Sequence, residues 1–524
     1  MIMTSQKVSF VLALLFSSCW LSSAQPNIVF IYADDLDADE LNCTMDRVNE
    51  WATPSGARRV VGTGKKAGVP KVLTPHIDSL AEDGLLFTRF YVNATVCTSS
   101  RYCLLTGRYA TRGIELQKDY PVGSHATLEW RPAIVREETS LSKELQKLGY
   151  RTGIIGKWHN MPDKVLPKRN KKAHEPNATY ADTLKYGDAI RAYYDAGLAY
   201  LSDGFGWDVV DRMEWGNSIV NLDWQCEGAL KFIEESKDGP FFLYCALPVP
   251  HGQYYFDYND VTSYDQRVTS AGVVEEPILV LPSAADVMQR TQAAGVTAKN
   301  AMATRMDDYV GAVLDKLDSL GLRENTLVIF TSDHGSRGKN SVFEGGAKVP
   351  MMAVWPGHIK AGSETDSLIG NVDIAATLIE IAGGTPPADM TLDGRSFEAQ
   401  LLGQPEPRDW RTSMLIEAGN SRGIVSRNWK YVANRVPPEI EAKMQARPKE
   451  VFWTGVDHHN YQTEQMYPAY WDADQLYDLS KDLYEQQNLV GNPEYHTQLK
   501  NYQALLESAV STLPHRFGEF GAAQ

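Results

Sequence analysis

Four apolar runs in this chain break off on ionisable side chains. Asn27-Ile28-Val29-Phe30-Ile31-Tyr32-Ala33 stops at Asp34-Asp35, and the run over 151–155 leads into Gly156-Lys157-Trp158-His159. The run over 240–246 delivers His251, and the run over 325–331 stops at Asp333-His334. Short, continuously apolar runs suit strands buried on both faces of a sheet. Helical patterns separate them, over 74–84, 140–148, 223–235, 298–320 and 373–382. That alternation predicts an α/β fold with helices on both sheet faces, in which ligands bind outside the carboxyl ends of the strands. The four polar groups are therefore expected on one rim.

A second stretch belongs opposite that rim: Cys97-Thr98-Ser99-Ser100-Arg101-Tyr102-Cys103-Leu104-Leu105-Thr106-Gly107-Arg108. Arg101, Leu104, Leu105 and Arg108 fall at i, i+3, i+4 and i+7, so a helix is expected to start at about Cys97. A helix N-terminus favours an anion, and Arg101, one turn on, offers a fork of donors suited to an oxyanion. This stretch resembles the signature of the type I sulfatases, the formylglycine-dependent enzymes of the alkaline-phosphatase superfamily. Their pattern is Cys-x-Pro-Ser-Arg-x-x-Leu-Leu-Thr-Gly-Arg, and only Ser99, where Pro is usual, departs from it.

The resemblance extends over nearly the whole mature chain. It implies a large alkaline-phosphatase-like α/β/α sandwich with a smaller C-terminal antiparallel α+β subdomain. It also implies that Cys97 is oxidised after translation to an aldehyde (formylglycine), whose hydrate attacks the sulfur of a sulfate ester. Asp34, Asp35, Asp333 and His334, with converted Cys97, match the family's metal-binding positions. So oxygen-rich a set favours Ca²⁺ over Mg²⁺ or Mn²⁺, although His334 stands where Asn is more frequent. Arg101, Lys157 and Lys339 match positions that hold sulfate oxygens. His159 matches the base that deprotonates the hydrate, and His251 the group that contacts sulfate or protonates the leaving alcohol. Ser99 bears on which maturase acts, because the usual oxygen-dependent machinery reads Cys-x-Pro-x-Arg.

Residues 1–24 read as a secretory signal: Lys7 precedes an apolar run that ends at Ser22-Ser23-Ala24. A secreted or periplasmic protein is expected, with no membrane span, since the apolar run is short of the roughly 20 residues a span needs. A net charge of −15 argues against a general nucleic-acid binder. The catalytic domain is expected over 25–405 and the subdomain over 406–524. The latter has strands at 414–416, 423–425, 429–432 and 475–479 and a helix over 493–513. A strand is also expected over 86–92. Residues 161–239 read as a long aromatic-rich insertion with one helix, and 252–297 as irregular. Cys43, Cys103, Cys226 and Cys245 permit up to two disulfides of unreadable pairing. Asn42, Asn93 and Asn177 begin glycosylation sequons.

The partners expected are a sulfated glycan and a formylglycine-generating maturase. Trp207, Trp215, Trp224, Tyr254, Tyr255, Trp453 and Trp471 are candidates for packing on sugar faces. Lys164, Lys168, Arg169, Lys171 and Lys172 are candidates for neighbouring sulfates, and His458 and His459 for further contact. Two other readings are a phosphate or phosphonate ester hydrolase of the same superfamily and a non-maturing glycan-binding relative.

Overall fold

The apolar runs become the centre of one mixed sheet in a computed structural model. It describes residues 25–44, 72–128, 130–162, 164–168, 179–216, 220–251, 265–447 and 463–518. The strands are β1 (Asn27–Ala33), β2 (Leu85–Phe87), β3 (Arg151–Lys157), β4 (Val209–Glu214), β5 (Phe241–Ala246), β6 (Thr326–Ser332), β7 (Met351–Val354) and β8 (Ser363–Thr365). Their spatial order is β8-β2-β7-β6-β1-β5-β3-β4. The five strands from β6 to β4 are parallel. Only β7 runs against its neighbours β6 and β2.

Alternate residues of β1 feed two cores. Ile28, Phe30 and Tyr32 join one, while Val29, Ile31 and Ala33 join the other. The helices are α1 (Pro75–Glu82), α2 (Cys97–Thr106), α3 (Leu141–Lys147), α4 (Gly187–Leu201), α5 (Leu222–Ser236), α6 (Ala284–Ala293), α7 (Ala301–Ser319) and α8 (Asp373–Ile381). α2, α3 and α8 cover the first face through Leu104, Leu105, Leu141, Leu145, Ile374 and Leu378. α1, α5 and α7 cover the second through Ile77, Leu80, Phe232, Ile233, Met306 and Val310. The continuous apolar character of the parallel strands follows from this double cover.

Beyond this sheet lies an antiparallel sheet of β9 (Ser413–Ala418), β10 (Ser421–Ser426), β11 (Trp429–Asn434) and β12 (Asp474–Asp478), followed by α9 (His496–Ser511). One face packs on α9 through Leu415, Ile424, Tyr431, Tyr502 and Leu506. The other packs Met414, Ile416, Val432 and Tyr477 against Tyr91, Phe343 and Ala347.

Several expectations are corrected. The strand expected over 86–92 is divided: Leu85–Phe87 joins the main sheet, and Phe90–Tyr91 pairs with Ile369–Gly370 instead. The stretch 161–239 is not mainly an irregular insertion, because it supplies α4 and the edge strand β4 as well as α5. α6 lies within the stretch read as irregular and begins with a capping box between Ser283 and Asp286. Thr74 does not cap α1 with its side chain. The Asp307 carboxylate on α7 accepts from the N–H groups of His76 and Ile77 at 3.2 and 2.7 Å. Cys43, Cys97, Cys103, Cys226 and Cys245 are all free thiols. Asn93 is buried, with its amide spent on Leu415 and Val372, so the folded chain offers no acceptor there. Asn177 and the leader over 1–24 lie outside the described residues. Among the described residues no helix is long and apolar enough to cross a membrane.

Gly156 shows how β3 is closed onto the rim. Its φ is +98°, the register with β4 shifts between Ile155 and Gly156, and a Cβ there would lie 2.1 Å from the Ala246 carbonyl oxygen. Gly156→Ala is expected to cost about 2 kcal/mol or more. Equilibrium urea unfolding checks this, and a change below about 0.5 kcal/mol would contradict the packing described.

Candidate active site

The parallel register brings the strand ends together. Ala33 pairs with Ser332, Tyr32 with Ala246, and Gly156 with Ala246. Asp333 and Asp34 therefore leave the neighbouring strands β6 and β1, and Lys157 ends β3 one strand further on, beyond β5, all at the same edge. Asp35 turns the chain through a φ of +62°. A buried Asp37 then ties the β1 loop to the β6 loop, accepting from the Ser336 N–H and hydroxyl at 2.8 and 2.7 Å. α2 begins at Cys97, with Val96 extended before it, and its N-terminus meets this edge.

Cys97 sits at the centre, fully buried. Its Sγ lies 3.5 Å from Asp34 Oδ1, 3.2 Å from His334 Nε2 and 3.6 Å from Lys339 Nζ. Lys157 Nζ donates to Asp34 Oδ2 at 2.5 Å, and Arg101 Nη2 donates to Asp333 Oδ2 at 2.9 Å. Lys339 Nζ donates to Asp35 Oδ1 at 2.8 Å and lies 3.2 Å from His251 Nε2. Three carboxylates are thus matched by three cations in a space closed to bulk water. Every residue named from the sequence as catalytic or metal-ligating is gathered at this rim. His159 faces Cys97 as well, and the absence of a side chain at Gly216 makes room for its ring, since a Cβ there would fall 2.5 Å from it.

Charge tuning follows from this packing. Burial pushes the Cys97 thiol up, but Lys157, Lys339 and His334 outweigh it and hold the thiol well below its ordinary value. Burial and Cys97 push Asp34 up, yet Lys157, His251 and Arg101 bring it down to about 2. Asp333 is pushed up to about 7 by burial and by Asp34 beside it. Burial and the Lys157 ammonium lower His159, which keeps it a neutral imidazole able to accept a proton.

Asp34, Asp35, Cys97 and His334 place one ligand atom each within 4.8 Å of one another. Carboxylate oxygens with one imidazole nitrogen suit a hard divalent cation. Asp333 stands beside that group: its Oδ1 is 3.6 Å from His334 Nε2 and accepts from the Asp35 N–H at 3.2 Å.

Trp207, Trp215 and Trp224 are buried in the core, where Trp207 stacks on Phe242 and Tyr244. Trp471 is exposed and packs edge-on to Tyr470. Lys164 and Lys168 are exposed. Tyr254, Tyr255, Trp453, Arg169, Lys171, Lys172, His458 and His459 lie outside the described residues. Sequence reasoning missed Asp37, Gly216 and Trp130. Asp37 lay within reach, since it follows Asp34-Asp35 in the same loop; the other two have no local signal.

Residues 26–384 match the family described as Sulfatase. The chain is 27% identical over 483 residues to an ulvan-active sulfatase of Formosa agariphila, covering 90% of this chain and 77% of that protein. It is 28% identical over 381 residues to the N-acetylgalactosamine-6-sulfatase of Homo sapiens, a match that spans 64% of this chain and 62% of the human protein. A solved structure described as a complex with its substrate D-glucosamine-2-N,6-O-disulfate superposes with a TM-score of 0.56 at 18% identity, covering 93% of this chain and 98% of the other.

Proposed function

The chain belongs to the sulfatase family of the alkaline-phosphatase superfamily and is a sulfuric ester hydrolase; from that footing we propose that it removes sulfate from a sulfated glycan at the rim around Cys97. The observation that carries this reading is the ring of Arg101, Lys157 and Lys339 about a buried residue at a helix N-terminus. The similarity to an ulvan-active sulfatase and to an N-acetylgalactosamine-6-sulfatase supports a carbohydrate as the alcohol. Export of the mature chain is part of the proposal, supported by the leader-like residues 1–24.

The family implies formylglycine at position 97 and a divalent metal ion. The Cys97 sulfur stands where the oxygens of the hydrated aldehyde would lie. Asp34, Asp35 and His334 would hold the ion with Asp333 beside them, and Ca²⁺ fits their hard donors best. When bound, the ion and the aldehyde hydrate supply positive charge and a nucleophilic oxygen with a second proton to lose. The chain's own side chains do the rest. Arg101, Lys157 and Lys339 offset charge on the sulfate oxygens as it develops. His251 lies against Lys339, placed to give a proton to the departing alcohol oxygen. His159, neutral and beside position 97, accepts a proton there when sulfate is expelled.

A panel of sulfated mono- and oligosaccharides, with released sulfate read by ion chromatography, tests the proposal. Faster release of phosphate from matched phosphate esters would replace it with the phosphohydrolase reading. Chelator treatment followed by dialysis is expected to lower turnover at least tenfold. It is also expected to lower the unfolding midpoint, because a ligand bound only by the folded state stabilises it by about 2.7 kcal/mol at 100 times its Kd. Added Ca²⁺ should restore both; recovery with Mg²⁺ or Mn²⁺ alone would overturn the assignment of the ion.

A further inference from the structure

We infer that Trp130 is the sugar-facing wall of this site and that its indole sets the affinity for the ring carrying the scissile sulfate. Trp130 is half-buried. Its ring lies 6.1 Å from the His159 ring, tilted by 34°, and Lys339 Nζ sits 5.8 Å from its centroid. His159 follows β3, whereas Lys339 belongs to the loop after β6, so the indole touches both flanks of the rim. Tyr32 also faces an ionisable group of the site, Arg101 at 5.2 Å, but it is fully buried beneath it. Trp207, Trp215 and Trp224 are spent in the core.

This inference rests on the reading of the substrate as a sulfated sugar. With Lys339 and His159 at the sulfate, the carbon bearing the ester lies only two bonds beyond sulfur. The first sugar ring then comes within reach of the indole. A flat, neutral face suits the C–H face of a pyranose, and burying it adds affinity without a charge partner. As a wall, Trp130 acts on the sugar and leaves the sulfate cradle of Arg101 and Lys157 intact.

The test uses the matured enzyme, the sulfated monosaccharide it turns over fastest, and inorganic sulfate as competitive inhibitor. Trp130→Ala is expected to raise KM for the sugar about tenfold, with kcat falling less than KM rises. Trp130→Phe is expected to raise KM two- to threefold, and the inhibition constant of inorganic sulfate is expected to stay within twofold in both. That constant also reports that the variant site is folded. An unchanged KM in Trp130→Ala would overturn the inference, as would a rise in the sulfate constant in step with KM, which would make Trp130 a positioning residue for Lys339. If the unaltered enzyme turns over no sulfated sugar, the substrate reading falls and takes this inference with it; an active enzyme with an unmoved KM sinks the inference alone.

Discussion

Cys97→Ala is expected to lower kcat/KM on a sulfated sugar by about 10⁴-fold or more, the scale seen when a nucleophile is removed from a preorganised site. Nothing else among the described residues offers a replacement at that point. The position is fully buried at the first residue of α2, with Lys339, His334 and Asp34 within 3.6 Å of its sulfur. Cys97→Ser should be equally slow in turnover. A lone hydroxyl that has taken sulfate has no second proton to lose, so intact mass measurement of that variant with substrate should show one retained sulfate group. Peptide mass spectrometry across position 97 of the unaltered protein, made in a host with a maturase, should show sulfur replaced by oxygen. A fully intact thiol in an active enzyme would refute the role given to this residue.

Ser99, where the family pattern has Pro, leaves the start of α2 unchanged. It is the third residue of α2, and the first backbone bond of that helix runs from the Ser100 N–H to Val96 at 2.9 Å. The Ser99 N–H is one of the donors that an α-helix leaves without an intrahelical partner. Pro would lose no helical bond there, and Ser gains only a 3.3 Å contact to the Val96 carbonyl.

The rim was legible in the sequence because parallel strands buried on both faces must be apolar throughout, so the residues that break each run mark its carboxyl end. β4 was not legible for the opposite reason. As an edge strand it carries the charged Asp211 and Arg212, both partly buried, and reads as polar loop. α4 buries Ile190, Tyr194, Gly197 and Leu201, a sparse stripe interrupted by a glycine. That glycine is needed because Trp215 packs on it, 2.3 Å from where a Cβ would stand. The tryptophans taken for sugar platforms fill this same space, with Tyr194 against both Trp215 and Trp224. Trp130 shows the converse. Nothing in its neighbours along the chain marks it, since His159 and Lys339, which its ring faces, come from distant loops.

Lys430→Met is expected to destabilise the protein by about 3–5 kcal/mol at neutral pH, the usual cost of removing one partner from a buried charge cluster. Lys430 on β11 is fully buried and bridges Glu344 at 2.9 Å and Glu485 at 3.1 Å. Glu485 also accepts from the Glu344 N–H at 2.7 Å, and the Tyr91 hydroxyl donates to Glu344 at 3.1 Å. The cluster fastens the antiparallel sheet to the turn Glu344–Ala347. That turn lies directly behind Lys339, where Gly338 and Gly346 approach too closely for a side chain on either. Burial, with Glu344 beside it, pushes the Glu485 carboxyl up to about 8 despite Lys430. Its folded value thus lies above the unfolded one near 4.3. The neutral form is favoured by folding, and the stability it contributes is full below about pH 4.3 and lost as pH rises through 8. Removing the lysine sharpens this dependence, because both carboxylates then lose their counter-charge. The deficit of Lys430→Met against the unaltered protein, read from urea unfolding, should be small near pH 5 and largest above pH 8. Adding Glu344→Gln and Glu485→Gln to that variant should recover most of the loss at high pH, since no buried charge remains to be left unpaired. A deficit that is flat from pH 5 to 9 would mean that lost packing of the lysine stem, and not its charge, holds the two sheets together.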